Sequence, residues 1–179
     1  MGRLRPFTPI VFDLDGTLVR LEVDWRRVQA AMARVAGRFG RASEDRTVWT
    51  MLRDTTGEER QALDAVLRQY ELEGGRRASR LPTAALLPHL TKPTGVVTLN
   101  CRACAEEALR ASGLRTHIQV IVAREDAQRL KPDPEPLLLC LERLGGTPEG
   151  AVFVGDRDRD RETAEAAGTA FLAVGDLLG

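Results

Sequence analysis

Short β-forming runs alternate with helices of about ten residues over the second half of this chain, and that alternation leaves few folds open. Val96-Val97-Thr98-Leu99 reads as a strand, followed by a helix over 103–111. Val120-Ile121-Val122 is a strand, Pro134 to Leu144 a helix closed by Gly145-Gly146, and Ala151 to Val154 a strand. Arg161 to Ala167 is a helix and Ala170 to Ala173 a last strand. Strands separated by helices pair in parallel, and a parallel sheet needs helices over both faces. Pro9 to Leu14 adds one more strand near the N-terminus, where Ile10, Val11 and Phe12 are β-formers and Asp15-Gly16 breaks the run. The expected fold class is α/β: an open, Rossmann-like parallel sheet with helices on both faces.

The first strand is not followed by its crossover. Between roughly residues 19 and 81 only helical signals occur. Asp24 is placed to cap a helix carrying Trp25, Val28, Met32, Val35 and Phe39, spaced three and four apart as one apolar face, with Gly40 ending it. A second short helix carries Val48, Met51 and Leu52. A third carries Leu63, Val66, Leu67 and Tyr70 and is expected to stop at Gly74-Gly75. A fourth segment runs to Leu81-Pro82. The organisation expected is a core of residues 1–18 and 82–179, with an all-α cap, residues 19–81, inserted after the first strand.

With 179 residues the chain is long enough to bury roughly 70% of its unfolded surface, so it needs no disulfide or structural metal to fold. The 26 basic and 26 acidic side chains cancel, which leaves no net field to recruit nucleic acid or an anionic membrane. No unbroken apolar run exceeds five residues, the length of Leu137–Leu141, far too short to cross a membrane. No apolar stretch precedes Asp13 in the manner of an export signal, and the three cysteines are an odd number, so the reducing cytoplasm is the expected compartment. Among the 26 basic residues only Lys92 and Lys131 are lysine, which makes each lysine informative in a chain that otherwise uses arginine.

In an open parallel sheet, sites form beyond the carboxyl ends of the strands. The unusual residues gather there. The first strand runs into Asp13-Leu14-Asp15-Gly16-Thr17, where residues two apart point the same way and both carboxylates can face one pocket. Thr98 and Asn100 lie at the end of the second, Lys131-Pro132-Asp133-Pro134 follows the third, and Gly155-Asp156-Arg157-Asp158-Arg159-Asp160 follows the fourth. Each alone is an ordinary turn, strand end or rigid loop. Together, in order, they put several carboxylates in one place, where they repel unless a hard, oxygen-loving cation such as Mg²⁺ binds. Such a site suits phosphate: the metal and Lys131 neutralise it and Thr98 donates a hydrogen bond. One carboxylate can then attack phosphorus while a second moves the proton.

Val11-Phe12-Asp13-Leu14-Asp15-Gly16-Thr17-Leu18, Val97-Thr98-Leu99-Asn100, Lys131-Pro132-Asp133-Pro134 and Val154-Gly155-Asp156 through Asp160 resemble, in order, the four motifs of the haloacid dehalogenase-like hydrolase superfamily, in its phosphoglycolate-phosphatase-like branch with a helical cap. The resemblance implies a Mg²⁺-dependent phosphatase acting on a small phosphorylated metabolite through an aspartyl-phosphate, as a monomer or homodimer, with no nucleic-acid or membrane partner. It implies Asp13 as nucleophile and metal ligand, and Asp15 as general acid/base with its carbonyl on the metal. Thr98, Asn100 and Lys131 are implied as phosphate binders, Lys131 also as the residue that orders the nucleophile and neutralises charge, Asp156 as a metal ligand and Asp160 as its support. Three positions depart from the pattern: Arg157 replaces the usual Ser or Thr, Leu99 separates Thr98 from Asn100, and Arg20 stands where an acidic residue is common.

A phosphosugar mutase uses the same residues, and a catalytically idle regulatory protein is a third reading that the complete set of Asp13, Asp15, Lys131 and Asp156 argues against. Cys101-Arg102-Ala103-Cys104 is a lone CxxC, read as structural. Trp25 and Trp49 are expected to pack within the cap. Arg26, Arg27, His89 and His117 are expected at the surface.

Overall fold

The computed structural model describes residues 2–41 and 46–178. In chain order the elements are β1 (Ile10–Phe12), β2 (Val19–Arg20), α1 (Trp25–Arg38), α2 (Val48–Arg53), α3 (Gly57–Arg76) and β3 (Ser79–Arg80). They continue with β4 (Thr94–Val97), α4 (Arg102–Ala111), β5 (Val120–Val122), α5 (Glu135–Arg143), β6 (Val152–Gly155), α6 (Asp158–Ala166), β7 (Ala170–Ala173) and α7 (Val174–Leu178). Short 3₁₀ turns cover Gly2–Leu4, Pro82–His89 and Arg115–His117.

Five strands form one parallel sheet in the order β5-β4-β1-β6-β7. Alternation along each strand sends side chains to opposite faces. Ile10, Phe12, Val96, Val152 and Val154 pack with Cys104, Ala105, Ala108 and Leu109 of α4 and with Leu177 of α7. Val11, Val97, Val122 and Phe153 pack with Leu137, Cys140 and Leu141 of α5 and Ala164 of α6. Both faces are therefore covered, which is why the strands read as continuous apolar runs rather than alternating ones. The chain winds outward from β1 through β4 to β5, then returns to the other side through β6 and β7. The strand order reverses at β1, and the crevice beyond its carboxyl end is where such a sheet holds a ligand.

Helices α1, α2 and α3 bury their own apolar cluster, with Val28, Met32, Val48, Met51, Leu52, Leu63 and Leu67 at its centre. Asp24 caps α1 by accepting from the Arg26 and Arg27 amides, as its position in the sequence predicts. Residues 42–45 of the expected insertion lie outside the described residues.

Four expectations need correction. The inserted segment is not purely helical: β2 and β3 pair antiparallel at its two ends, Val19 with Arg80 and Arg20 with Ser79, so the two crossing strands leave the core side by side. Phe39 does not share the apolar face of α1; it follows the helix and is 42% exposed. The strand expected over 96–99 spans Thr94–Val97, so Thr98 already lies in the loop beyond it. Gly74 and Gly75 do not end α3 but sit inside it, both buried. A side chain at Gly74 would run into Val23 and the Glu22 carbonyl, and one at Gly75 would meet the Cys104 carbonyl at 3.1 Å. The glycines let α3 approach the first connection and α4 closely, a tertiary need that local propensity does not reveal.

Two effects oppose each other at Gly74. Helix propensity alone says that Gly74→Ala gains about 1 kcal/mol. Overpacking against the Glu22 backbone and the stiff Val23 side chain costs about 1–3 kcal/mol. We expect the second to win, and denaturant unfolding should show Gly74→Ala less stable than the parent; a stabilised variant would mean the helix does not depend on this close approach.

Candidate active site

The residues singled out in the sequence converge at the carboxyl ends of β1, β4 and β6. Asp13 and Asp15 follow β1, Thr98 and Asn100 follow β4, and Asp156 and Asp160 follow β6, while Lys131 reaches in from the long loop after β5. All but Asp156 and Asp160 line one cleft of about 230 Å³.

Lys131 is the hub. Its ammonium donates to Asp13 Oδ1 at 2.7 Å, Asp160 Oδ1 at 2.6 Å and the Val97 carbonyl at 3.2 Å, with the side chain 2% exposed. An ammonium has three hydrogens, and three acceptors take them. Lys131 therefore orders Asp13 and supplies charge, with no free hydrogen left to hold a substrate. Asp160 also accepts from the Arg157 amide at the start of α6, so one buried carboxylate ties the lysine to the first turn of that helix. It packs against Gly155, where a Cβ would meet the Asp160 side chain at 2.6 Å.

Asp156 approaches the β1 loop in a similar way. Gly16 adopts a positive φ of 94°, and a Cβ there would meet the Asp156 carboxylate oxygen Oδ1 at 2.7 Å. Thr17 donates to Asp156 Oδ1 at 3.3 Å, and Arg157 Nε lies 2.9 Å from Oδ2. Carboxylate oxygens of Asp13, Asp156 and Asp160 come within 4.8 Å of one another. Burial pushes the Asp13 carboxyl up to about 7 against the pull of Lys131, and Asp160 and Asp156 push the same way. Asp15 is also raised, by burial first and by Asp156, while its Oδ1 accepts from the Leu21 amide at 2.9 Å. A carboxyl held above its ordinary range is suited to keep a proton until a leaving group needs it.

Thr98 donates its hydroxyl to Asn100 Oδ1 at 2.9 Å and accepts from the Asn100 amide at 3.1 Å. Leu99 lines the cleft between them. The opposite wall comes from the inserted helices. Trp25 and Trp49, expected to pack within the cap, with contact to a substrate the alternative, both border the cleft, with ring centroids 5.9 Å apart. Arg159 lies over the Trp49 ring at 5.6 Å, bringing α6 and α2 together across the opening. Tryptophan among helical apolar residues looks the same in sequence whether it faces a neighbouring helix or a cleft, so no local signal separated the two.

Arg26 and Arg27 are exposed away from the cleft, Arg27 paired with Asp24. His89 is exposed and His117 half-buried, both distant from this cleft. Cys101, Cys104 and Cys140 are buried and free. Burial drives the Cys101 thiol up to about 12 and Cys104 higher still, which leaves neither as a thiolate for redox or metal chemistry. Two residues escaped the sequence reading altogether: Glu71 of α3 and Arg124, just past β5, form a buried ion pair at 2.8 Å beside Asn100. A single charged residue in an otherwise ordinary helix gives no hint of a partner 53 positions away.

The Asp13 carboxyl has a consequence for stability. Its native pKa lies above that of the unfolded chain, so between the ordinary carboxylate range and about 7 the native state holds a proton that the unfolded state has lost. Metal-free protein should therefore lose stability as pH rises through that window. Asp13→Asn cannot ionise and should melt higher than the parent at about pH 8 in EDTA, with little difference near pH 4. A parent that gains stability over the same range, by thermal unfolding, would contradict the raised carboxyl.

The haloacid dehalogenase-like hydrolase family model matches residues 82–174. Over 106 residues, 59% of this chain and 46% of the relative, the sequence is 36% identical to pyrophosphatase PpaX of Bacillus pumilus. Over 76 residues, 42% of this chain and 30% of the relative, it is 38% identical to phosphoglycolate phosphatase of Escherichia coli K12. The matched segment thus spans less than half the length of either. A solved HAD-superfamily hydrolase, subfamily IA, from Geobacter sulfurreducens superposes with a TM-score of 0.62 at 27% identity, covering 92% of this chain and 87% of that one.

Proposed function

The chain belongs to the haloacid dehalogenase-like hydrolase family, and from that premise we propose that it is a Mg²⁺-dependent phosphatase of small phosphate monoesters, working through an aspartyl-phosphate on Asp13. The observation that carries this reading is the Lys131 ammonium between Asp13 and Asp160, which holds a carboxylate at the switch point of the sheet with one oxygen, Oδ1, engaged and the group lining the cleft. The donor set fits a hard divalent cation, because three carboxylates converge, and Asp13, raised first by burial, is pushed further up by Asp160 and Asp156. Asp13, Asp156 and the Asp15 carbonyl would hold it, since Asp160 is committed to Lys131. When bound, the cation neutralises the negative charge that otherwise keeps a phosphate dianion from an anionic nucleophile.

The chain's own residues do the rest. Asp13 attacks phosphorus, and Lys131 keeps it aligned while offsetting its charge. Thr98 turns its hydroxyl from Asn100 to a phosphoryl oxygen. Asp15 gives its proton to the leaving oxygen, then takes one from the water that attacks the aspartyl-phosphate. The cleft of about 230 Å³ suits a substrate of metabolite size, and Arg159 on its wall favours a polar or anionic leaving group. A second reading, cleavage of inorganic pyrophosphate, draws on the same arginine and on the likeness to the PpaX relative.

Turnover of an aryl phosphate should vanish in EDTA and return with Mg²⁺, and Asp13→Asn should abolish it. Asp15→Ala should still be phosphorylated by an aryl phosphate, whose phenolate leaves without help, and then stall. Rapid mixing should show a burst of about one phenolate per active site, with the adduct mapped by mass to the Asp13 peptide. A burst that survives in Asp13→Asn would overturn the assignment. A screen of phosphoglycolate, sugar phosphates and pyrophosphate then names the substrate class.

Lys131→Arg keeps the charge, yet a planar guanidinium cannot place three hydrogens on Asp13, Asp160 and the Val97 carbonyl at once. We expect a fall in kcat of at least about tenfold, or ~1.4 kcal/mol of barrier. Near-parental rates would reduce Lys131 to a loop residue.

A further inference from the structure

We propose that Glu71, on a helix of the inserted segment, is a positioning residue for phosphate recognition, acting with Arg124 through Asn100 on Thr98. The assignment rests on the phosphatase reading and adds to it a residue that does not line the cleft.

The connection is continuous. Glu71 is fully buried on α3, and the Arg124 side chain is 1% exposed. Arg124 Nη1 donates to both Glu71 oxygens, at 2.8 and 2.9 Å, and to the Leu99 carbonyl at 2.7 Å. Its own amide donates to the Asn100 carbonyl at 3.1 Å. Arg124 Nε reaches Asp64, two helical turns before Glu71 on the same face of α3, at 2.7 Å. Glu71 in turn accepts from Asn100 Nδ2 and from the Cys101 amide, each at 3.1 Å. Every residue from Leu99 to Cys101 is thus held by this pair through a main-chain or side-chain group.

The chemistry of the pair sets the orientation of the amide. A carboxylate only accepts, so it must face the Asn100 NH₂ group and never its carbonyl. That turns Asn100 Oδ1 toward Thr98, where it receives the hydroxyl proton. The Thr98 oxygen is thereby fixed on the wall of the cleft, with its hydrogen on an acceptor that a phosphoryl oxygen can replace. Asn100, with Nδ2 on Glu71 and Oδ1 on Thr98, serves phosphate through Thr98 rather than by its own side chain.

Stability alone does not account for such a pair. Burying two charges costs several kcal/mol each, and an apolar pair of similar volume often does as well or better. Among the described residues Arg124 Nη2 has no partner, a further cost. What the ions supply and an apolar pair lacks is direction: a set of acceptors that fixes the loop and the amide.

The test is the KM of the Mg²⁺-loaded enzyme for an aryl phosphate, with the inhibition constant and calorimetric affinity of inorganic phosphate, in four variants. Glu71→Gln places an NH₂ group against donors whichever way it turns. It should raise KM and weaken phosphate binding about tenfold while kcat changes far less, because the loop grips ground state and transition state alike. Asn100→Ala leaves the Glu71–Arg124 pair intact and should show the same loss, which keeps the test decisive if Glu71→Gln does not fold. The double variant should be no worse than either single one. Asp64→Asn, on the same network but remote from Thr98, should lower stability without touching phosphate affinity. Unchanged affinity in folded Glu71→Gln or in Asn100→Ala, or losses that multiply in the double variant, would overturn the proposal while leaving the phosphatase reading in place. A parent protein that neither turns over an aryl phosphate nor binds phosphate would overturn both.

Discussion

One buried ammonium organises this molecule. Three loops at the carboxyl edge of the sheet carry negative charge or lone pairs toward one point: Asp13 after β1, the Val97 carbonyl at the end of β4 and Asp160 in the first turn of α6. None of these groups tolerates the others in a dry interior without a cation between them. Removing the lysine would leave two buried carboxylates uncompensated, at a cost of about 3–5 kcal/mol, so it supports the fold. It also explains why this position is not arginine in a chain that uses arginine almost everywhere else: three hydrogens in a tripod match three acceptors, and a flat fork does not.

The same edge of the sheet is closed from above by the inserted helices, and two kinds of contact do it. On one side the seal is polar and buried, Glu71 and Asp64 on Arg124, and it reaches the Thr98 loop. On the other it is aromatic and half-buried, with Arg159 over Trp49 beside Trp25. A hydrogen-bonded buried pair has one arrangement, while a cation over an aromatic face slides at little cost. The first side is therefore held in one arrangement, while the second can adjust. The antiparallel pairing of β2 with β3 keeps the two connections side by side between these halves.

The sheet and its site were legible because both depend on short-range patterns. Ile10, Val11 and Phe12 are apolar on both faces, as a central parallel strand must be, and Asp15-Gly16 ends the run without ambiguity. The helix expected over 103–111, found over Arg102–Ala111, and the strand over 120–122 emerge from spacing and punctuation alone. The carboxylates are legible for a chemical reason: like charges at successive strand ends have no structural use unless something positive joins them. Gly74 and Gly75 misled because glycine inside a helix and glycine after one are the same letter, and only the approach of α4 and Val23 tells them apart. Val19–Arg20 and Ser79–Arg80 are too short to carry a period, so their pairing was invisible before the chain closed on itself.

The order of elements, the strand that opens the sheet, the carboxylates and lysine at its edge and the helical nature of the insertion are properties of the sequence by itself, since each follows from local composition, period or charge. The tertiary structure alone decided that Lys131 spends all its hydrogens inside the protein, that both tryptophans face the cleft, and that Glu71 meets Arg124 and Asn100. Those are contacts between positions tens of residues apart. Their geometry is set by how helices settle against a sheet, and no pattern along the chain encodes a distance across it.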